Sequence, residues 1–246
     1  MEITYPLSKE SLIELYLNQK LSDLKIGKLF GKSGGTIASH RRKFGIKTIE
    51  CWERFNVPRE LSQMEKEVIF GYLLGDGTML FACKQACLRV SQSKKQESFV
   101  IQMYEYLNQW TAYEPVDDAH LDKRFNKTYY AYRFDTVSHP VFTEIRKMCY
   151  PNGIKRVSRT WLDNVGPIGL ALWYEGDGSL EGEIIPTLKT NSFSEEEHDI
   201  IIKWFDDCFN IKSCKINRSG YLNICIKSAM EFREIIEPYI IPYFSN

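Results

Sequence analysis

Ten residues, IFGYLLGDGT at 69–78, return in altered form as LALWYEGDGS at 170–179, which sets their aspartates, Asp76 and Asp177, 101 positions apart. Each run follows a helix-start signal. Ser62-x-x-Glu65 is a capping box, and Gly166-Pro167 puts proline at a first helical position. Each predicted apolar helix then stops at Gly-Asp-Gly. Later landmarks correspond as well. Gln92-Ser93 and Asn191-Ser192 each precede a polar-capped amphipathic segment, and Ser138–Ile145 matches Ser228–Ile235. A ladder of matches in one order requires two homologous halves, 62–157 and 158–246. Alternating helical and strand periods within each half give αββαββα. The fold class is therefore α+β, with two pseudo-symmetric halves and antiparallel sheets.

The strands are read by alternation. In LRVSQ, Arg89 and Ser91 oppose Leu88 and Val90; in YYAYRFD, Arg133 and Asp135 oppose Tyr132 and Phe134. IPTLKTN places Thr187, Lys189 and Asn191 on one face, and YLNICIK is read as a strand reaching Lys227. The open faces would carry Arg89, Ser91, Arg133, Lys189, Lys215, Asn217 and Asn223, donors and acceptors suited to base edges in a groove. Lys94 and Lys95 follow the second strand of the first half. An ordinary half-solvated sheet would show the same alternation.

Residues 1–48 read differently. Ser8, Ser22 and Ser33 can cap three short helices, and Gly31 makes a turn between the second and third. Two short helices around a tight turn, the later one ending in basic residues, match a helix-turn-helix. Its outward positions are Thr36, Ser39, His40, Arg41, Arg42 and Lys43, which can reach bases and phosphates. Residues 49–61 lack periodicity, contain Pro58, and are read as a linker that packs through Trp52 and Phe55.

The formal net charge is zero, which at first argues against a nucleic-acid partner. The zero is a cancellation: residues 1–60 carry net +4, 61–165 net +2 and 166–246 net −6. The seven cysteines form no CxxC pair, and buried reduced thiols are expected rather than disulfides or zinc ligands. The four histidines lack metal-ligand spacing. No apolar run approaches the roughly 18–20 residues of a membrane span, and the N-terminus does not read as a signal peptide. A protein of the cell interior is expected, in cytoplasm, organelle or phage-infected cell.

An apolar helix ending in Gly-Asp-Gly, repeated once in one chain, resembles the LAGLIDADG homing endonucleases. RVSQSKK, YYAYRF, CYPNG, NSFS and FREIIEPYIIP add to the likeness, which covers about 61–246. The resemblance implies a monomer in which the motif helices pack together and a saddle-shaped sheet straddles double-stranded DNA. It implies cleavage of both strands with Mg²⁺ or Mn²⁺ held by Asp76 and Asp177 and by the carbonyls of Gly75 and Gly176. Carboxylates are hard ligands for such ions, and helix C-termini favour cations. By position, Gln92 and Asn191 match the polar residue that places water near the metal. Lys227 matches a basic residue that offsets developing negative charge. The corresponding first-half position falls near Val137, where Lys94 or Lys95 would substitute or contact phosphate. Gly77 and Gly178 are read as left-handed helix caps. Gly71, Gly75, Ala171 and Gly176 are read as small residues for close helix contact, and Glu175 as a surface residue. Two other readings stand beside cleavage: a splicing maturase that grips intron RNA, and a repressor that reads DNA mainly through residues 1–60.

Overall fold

The structure is a computed structural model and describes residues 5–82, 84–182, 184–212 and 214–240. The chain separates into two compact units, with the boundary between Val57 and Pro58.

The first unit is helical. Ser8 caps α1 (Lys9–Ile13), which runs on as a π-turn over Glu14–Asn18. Ser22 caps α2 (Asp23–Leu29), and Ser33 caps α3 (Gly34–Lys43). In each case the serine Oγ accepts a backbone N–H left free by the first turn. Gly31 turns the chain at φ +63°, a conformation that L side chains rarely adopt. The turn is tight, since a Cβ on Gly27 would lie 2.5 Å from the Lys32 carbonyl oxygen. Leu7, Leu12, Leu15, Tyr16, Ile26, Ile37 and Ile46 form the core. Leu24 and Leu29, two of the apolar residues of α2, face solvent instead. Residues 49–57, expected to be linker, belong to this unit. Within them α4 (Cys51–Arg54) forms. Lys20 donates to the Glu53 carbonyl at 2.8 Å, and Arg54 donates back to the Lys20 carbonyl.

The second unit holds both αββαββα halves. The first comprises α5 (Gln63–Leu74), β1 (Thr78–Ala82), β2 (Gln85–Ser93), α6 (Glu97–Leu107), β3 (Val116–Asp122), β4 (Lys127–Asp135) and α7 (Pro140–Cys149). After the one-turn helix α8 (Arg159–Leu162), the second comprises α9 (Pro167–Asp177), β5 (Gly178–Glu181), β6 (Ile185–Leu188), α10 (Glu195–Phe209), β7 (Cys214–Ile216), β8 (Leu222–Ile224) and α11 (Ile226–Ile236). Two four-stranded antiparallel sheets result, ordered β1-β2-β4-β3 and β5-β6-β8-β7. Their shared order is the internal repeat seen in space.

Val68 to Leu74 are all buried, and so are Gly169 to Trp173. Helices apolar on every side belong at the centre of a domain, and α5 and α9 pack there against each other. Gly71 and Gly169, the latter not among the small residues expected there, meet at their crossing: a Cβ on Gly169 would lie 2.5 Å from the Glu67 carbonyl oxygen. The outer layer is tied in by Trp161, whose indole N–H donates to the Phe70 carbonyl at 3.0 Å.

Several expectations change. Gly77 and Gly178 are not left-handed, since neither has a positive φ. They are glycines because the chain folds back over the last helical turn: a Cβ would meet the Tyr72 carbonyl at 2.6 Å and the Tyr174 carbonyl at 2.1 Å. The strand expected to reach Lys227 ends at Ile224. Cys225 then caps α11, with Ser228 N–H on its carbonyl at 2.9 Å. Glu175 is buried rather than on the surface. Cys87 and Cys149 are buried thiols, the latter pushed up to about 12 by burial, but Cys51 and Cys208 are exposed. No helix among the described residues is long and apolar enough to cross a membrane.

Candidate active site

The motif aspartates lie where α5 and α9 end, and each reaches toward the other half. Asp177 Oδ2 sits 3.3 Å from the place a Cβ on Gly75 would occupy, and Asp76 Oδ2 sits 3.7 Å from the same place on Gly176. Asp76 is exposed and Asp177 half-buried. Burial, with the Asp76 charge close by, pushes the Asp177 carboxyl up to about 6; Lys189 and Lys155 pull the other way. A carboxylate whose ionisation is penalised by burial and by a neighbouring carboxylate stands in a site that favours a cation. Among the described residues no three His, Cys, Asp or Glu side chains gather into a metal cluster. A divalent ion held here would therefore use two carboxylates, backbone carbonyls and water, a hard oxygen set that fits Mg²⁺.

Gln92 lies at the end of β2, and its amide Nε2 donates to Asp76 Oδ2 at 2.9 Å. The neighbouring strand residue is fixed by Tyr72, whose phenol oxygen accepts Ser91 N–H at 3.3 Å. In the second half the register differs from the one expected. Gly178 pairs with Leu188, and Lys189 N–H bonds the Asp177 carbonyl at 3.0 Å, so Lys189 stands beside Asp177. Counting the same way from Thr78↔Arg89, the matching first-half residue is Ser91. Asn191 lies two residues further on, exposed in the turn beside Gly220, and does not take the place of Gln92.

Lys227 is likewise displaced. In the first turn of α11 it is exposed and lines a groove of about 460 Å³ with Lys215, Asn223 and Cys225. A second basic residue stands at the aspartates with Lys189: Lys155, which no sequence motif singled out. It is half-buried in the connection between the halves, and its Nζ donates to the Gly75 carbonyl at 2.9 Å. Burial lowers its ammonium group, while Asp177 and Asp76 act in the opposite sense. The available signal was Lys155 within CYPNGIKRV, the conspicuous segment joining the halves.

The other expected contact residues divide into free and engaged. Arg89 pairs bidentately with Asp135, both bonds 2.8 Å, and Arg133 pairs with Asp118 at 2.9 Å. Lys94 pairs with Asp117 at 2.6 Å and Glu97 at 2.9 Å, leaving Lys95 exposed beside it. Ser91 is half-exposed, and Lys189 and Lys215 are exposed. Asn223, expected on the open face, is buried: its oxygen accepts from Thr187 and Asn217, both at 3.2 Å, and its amide donates to Glu181. In α3, Thr36, Ser39 and His40 are half-exposed, and Arg42 and Lys43 are exposed. Arg41 is the correction there. Its side chain is 6% exposed, pairs with Asp23 at 3.0 Å, donates to the Ile46 carbonyl at 2.9 Å and covers the Tyr16 ring. It stitches α2 to α3 and does not face outward.

Comparison with known proteins agrees with this arrangement. The model of the LAGLIDADG DNA endonuclease family matches residues 66–232. An uncharacterized protein of Methanocaldococcus jannaschii is 27% identical over 96% of this chain and 93% of its own length. The DNA endonuclease I-ChuI of Chlamydomonas applanata is 27% identical over 74% of this chain and 92% of its own. The solved structure of the homing endonuclease I-WcaI bound to its DNA recognition sequence shares the fold. Its TM-score is 0.66 at 22% identity, covering 74% of this chain and 84% of that one. With the family model spanning both motifs and both sheets, the chain belongs to the LAGLIDADG DNA endonuclease family.

Proposed function

We propose that this chain is a monomeric, site-specific endonuclease that hydrolyses both strands of DNA at a long asymmetric site with Mg²⁺ or Mn²⁺. The observation that carries the reading is the crossed pair of motif aspartates, whose oxygens lie 3.3 Å and 3.7 Å from where a Cβ on the other half's glycine would stand, with Asp177 raised to about 6 beside Asp76. A divalent cation between two such carboxylates supplies charge neutralisation at the phosphate and lowers the pKa of bound water. Asp76 and Asp177 would hold it, with backbone oxygen from Gly176. The Gly75 carbonyl already accepts from Lys155. Gln92 would orient Asp76 and attacking water through its amide. Lys155 and Lys189 would offset negative charge developing on the phosphate oxygens. The asymmetry of the site follows from the halves themselves, since Lys189 occupies the position that Ser91 takes in the first half. Arg42 and Lys43 of α3 would add contacts to phosphate beyond the central site.

The test is a selection by the full chain on randomised double-stranded DNA, followed by incubation of the selected site with Mg²⁺ or with EDTA. A recovered consensus that is cut on both strands only with the cation supports the reading. Binding to a consensus with no cleavage under either condition rejects it.

A further inference from the structure

We propose that Glu197 is a positioning residue that holds Lys155 at the aspartates from the far side of the second half. Lys155 lies in the strap 150–157, past the single 3-10 turn Pro151–Gly153, and no helix or sheet ladder includes it. Backbone ties on either side of Lys155 hold the strap. Arg156 N–H bonds the Cys149 carbonyl at 2.9 Å, anchoring it to the first half. Val157 N–H bonds Glu197 Oε1 at 2.6 Å, anchoring it to α10 in the second half.

Glu197 is 5% exposed and sits three residues past Ser194 in the capping box of α10. The box needs one carboxylate oxygen, and Oε2 accepts Ser194 N–H at 2.8 Å. That oxygen also takes Arg156 Nη1 at 3.3 Å. The other oxygen is committed to the strap two residues from Lys155. One carboxylate thus joins a helix start to the segment that delivers the lysine. A shift of about 1 Å in that backbone would draw Nζ away from the Gly75 carbonyl and from both carboxylates, a displacement that can cost about 100-fold in rate.

Glu197→Gln separates this role from simple capping, because an amide puts an NH2 donor where one of the two accepting oxygens stood, opposite a backbone N–H. Ser194→Ala weakens the same box without touching the strap. The first readout is acetylation of Lys155 in the full chain by an amine-specific reagent, followed by mass spectrometry. Glu197→Gln should raise the modification rate at least ~5-fold, and Ser194→Ala should leave it within ~2-fold. Equal rates in the wild type and Glu197→Gln, or an equal rise in both variants, overturn the proposal. Should Glu197→Gln not fold, Glu197→Asp, one methylene too short to reach Val157, serves in the same comparison.

The second readout rests on the endonuclease reading. Glu197→Gln should slow single-turnover cleavage ~10-fold at unchanged DNA affinity, and should add nothing once Lys155 is already alanine. Equal losses in both backgrounds overturn the proposal. Wild-type cleavage by Lys155→Ala would remove Lys155 from the chemistry, while the acetylation result still decides what holds it.

Discussion

Gly71 and Gly169 meet backbone to backbone where α5 crosses α9: a Cβ on Gly71 would lie 2.2 Å from the Gly169 Cα and carbonyl oxygen. Neither backbone can yield without moving a motif helix, and with it an aspartate. Gly71→Ala should therefore destabilise the chain by about 2 kcal/mol in urea unfolding and should lower cleavage further than that loss explains. Exposed Gly35, where an added Cβ would meet only the Ser33 hydroxyl at an ordinary 3.6 Å, offers a control site away from this contact.

The buried ion pair of the first unit makes a second prediction. Arg41→Ala leaves Asp23 without its bidentate partner and the Ile46 carbonyl without its donor. It should cost about 2–4 kcal/mol in stability, read as an earlier thermal transition. Arg42→Ala, on the exposed side, should change stability by less than about 0.5 kcal/mol and should weaken DNA binding with a shallower salt dependence.

The raised carboxyl of Asp177 sets a pH dependence. Its folded pKa of about 6 lies above the ordinary aspartate value of 3.8, so the ionised form is penalised by folding. That penalty is absent below about 4, grows between 4 and 6, and is fully present above 6. In EDTA, Asp177→Asn should match the wild type near pH 4 and exceed it at pH 8 by on the order of 1–2 kcal/mol, after allowance for solvent screening. Cleavage has the opposite sense: protons compete with the cation for Asp177, so the Mg²⁺ concentration needed for half-maximal cleavage should rise as pH falls. Urea midpoints that differ equally at both pH values would contradict this assignment.

Much of this arrangement was legible in the sequence because it is repeated there. The Gly-Asp-Gly pair marked both helix ends, and the capping serines marked where α2, α3, α5 and α10 begin. What escaped depended on register and on distant contacts. A strand of three residues, β8, leaves alternation nothing to measure, so Lys227 was assigned to a strand when it belongs to the first turn of α11. The end of β6 at Leu188 moved the position beside Asp177 from Asn191 to Lys189. Lys155 sits in an aperiodic strap and meets Gly75 across 80 residues of chain, a contact that no local pattern encodes. Arg41 looked like its basic neighbours until Asp23 was seen beneath it.

The difference between Lys189 and Ser91 predicts unequal strands. Lys189→Ser should slow cutting of one strand more than the other, so that nicked plasmid accumulates before linear product. Ser91→Lys should alter the rate on the opposite strand. Equal slowing of both strands by Lys189→Ser would place the lysine in DNA binding alone.

Asp76 and Asp177 together would perform hydrolysis without being needed for grip. The most direct measurement follows a supercoiled plasmid carrying the selected site, with Mg²⁺, for the wild type, Asp76→Asn and Asp177→Asn at matched DNA occupancy. The wild type should give linear product, and each variant should lose double-strand cleavage by at least ~100-fold with binding retained. Linear product formed by either variant at the wild-type rate would contradict these roles.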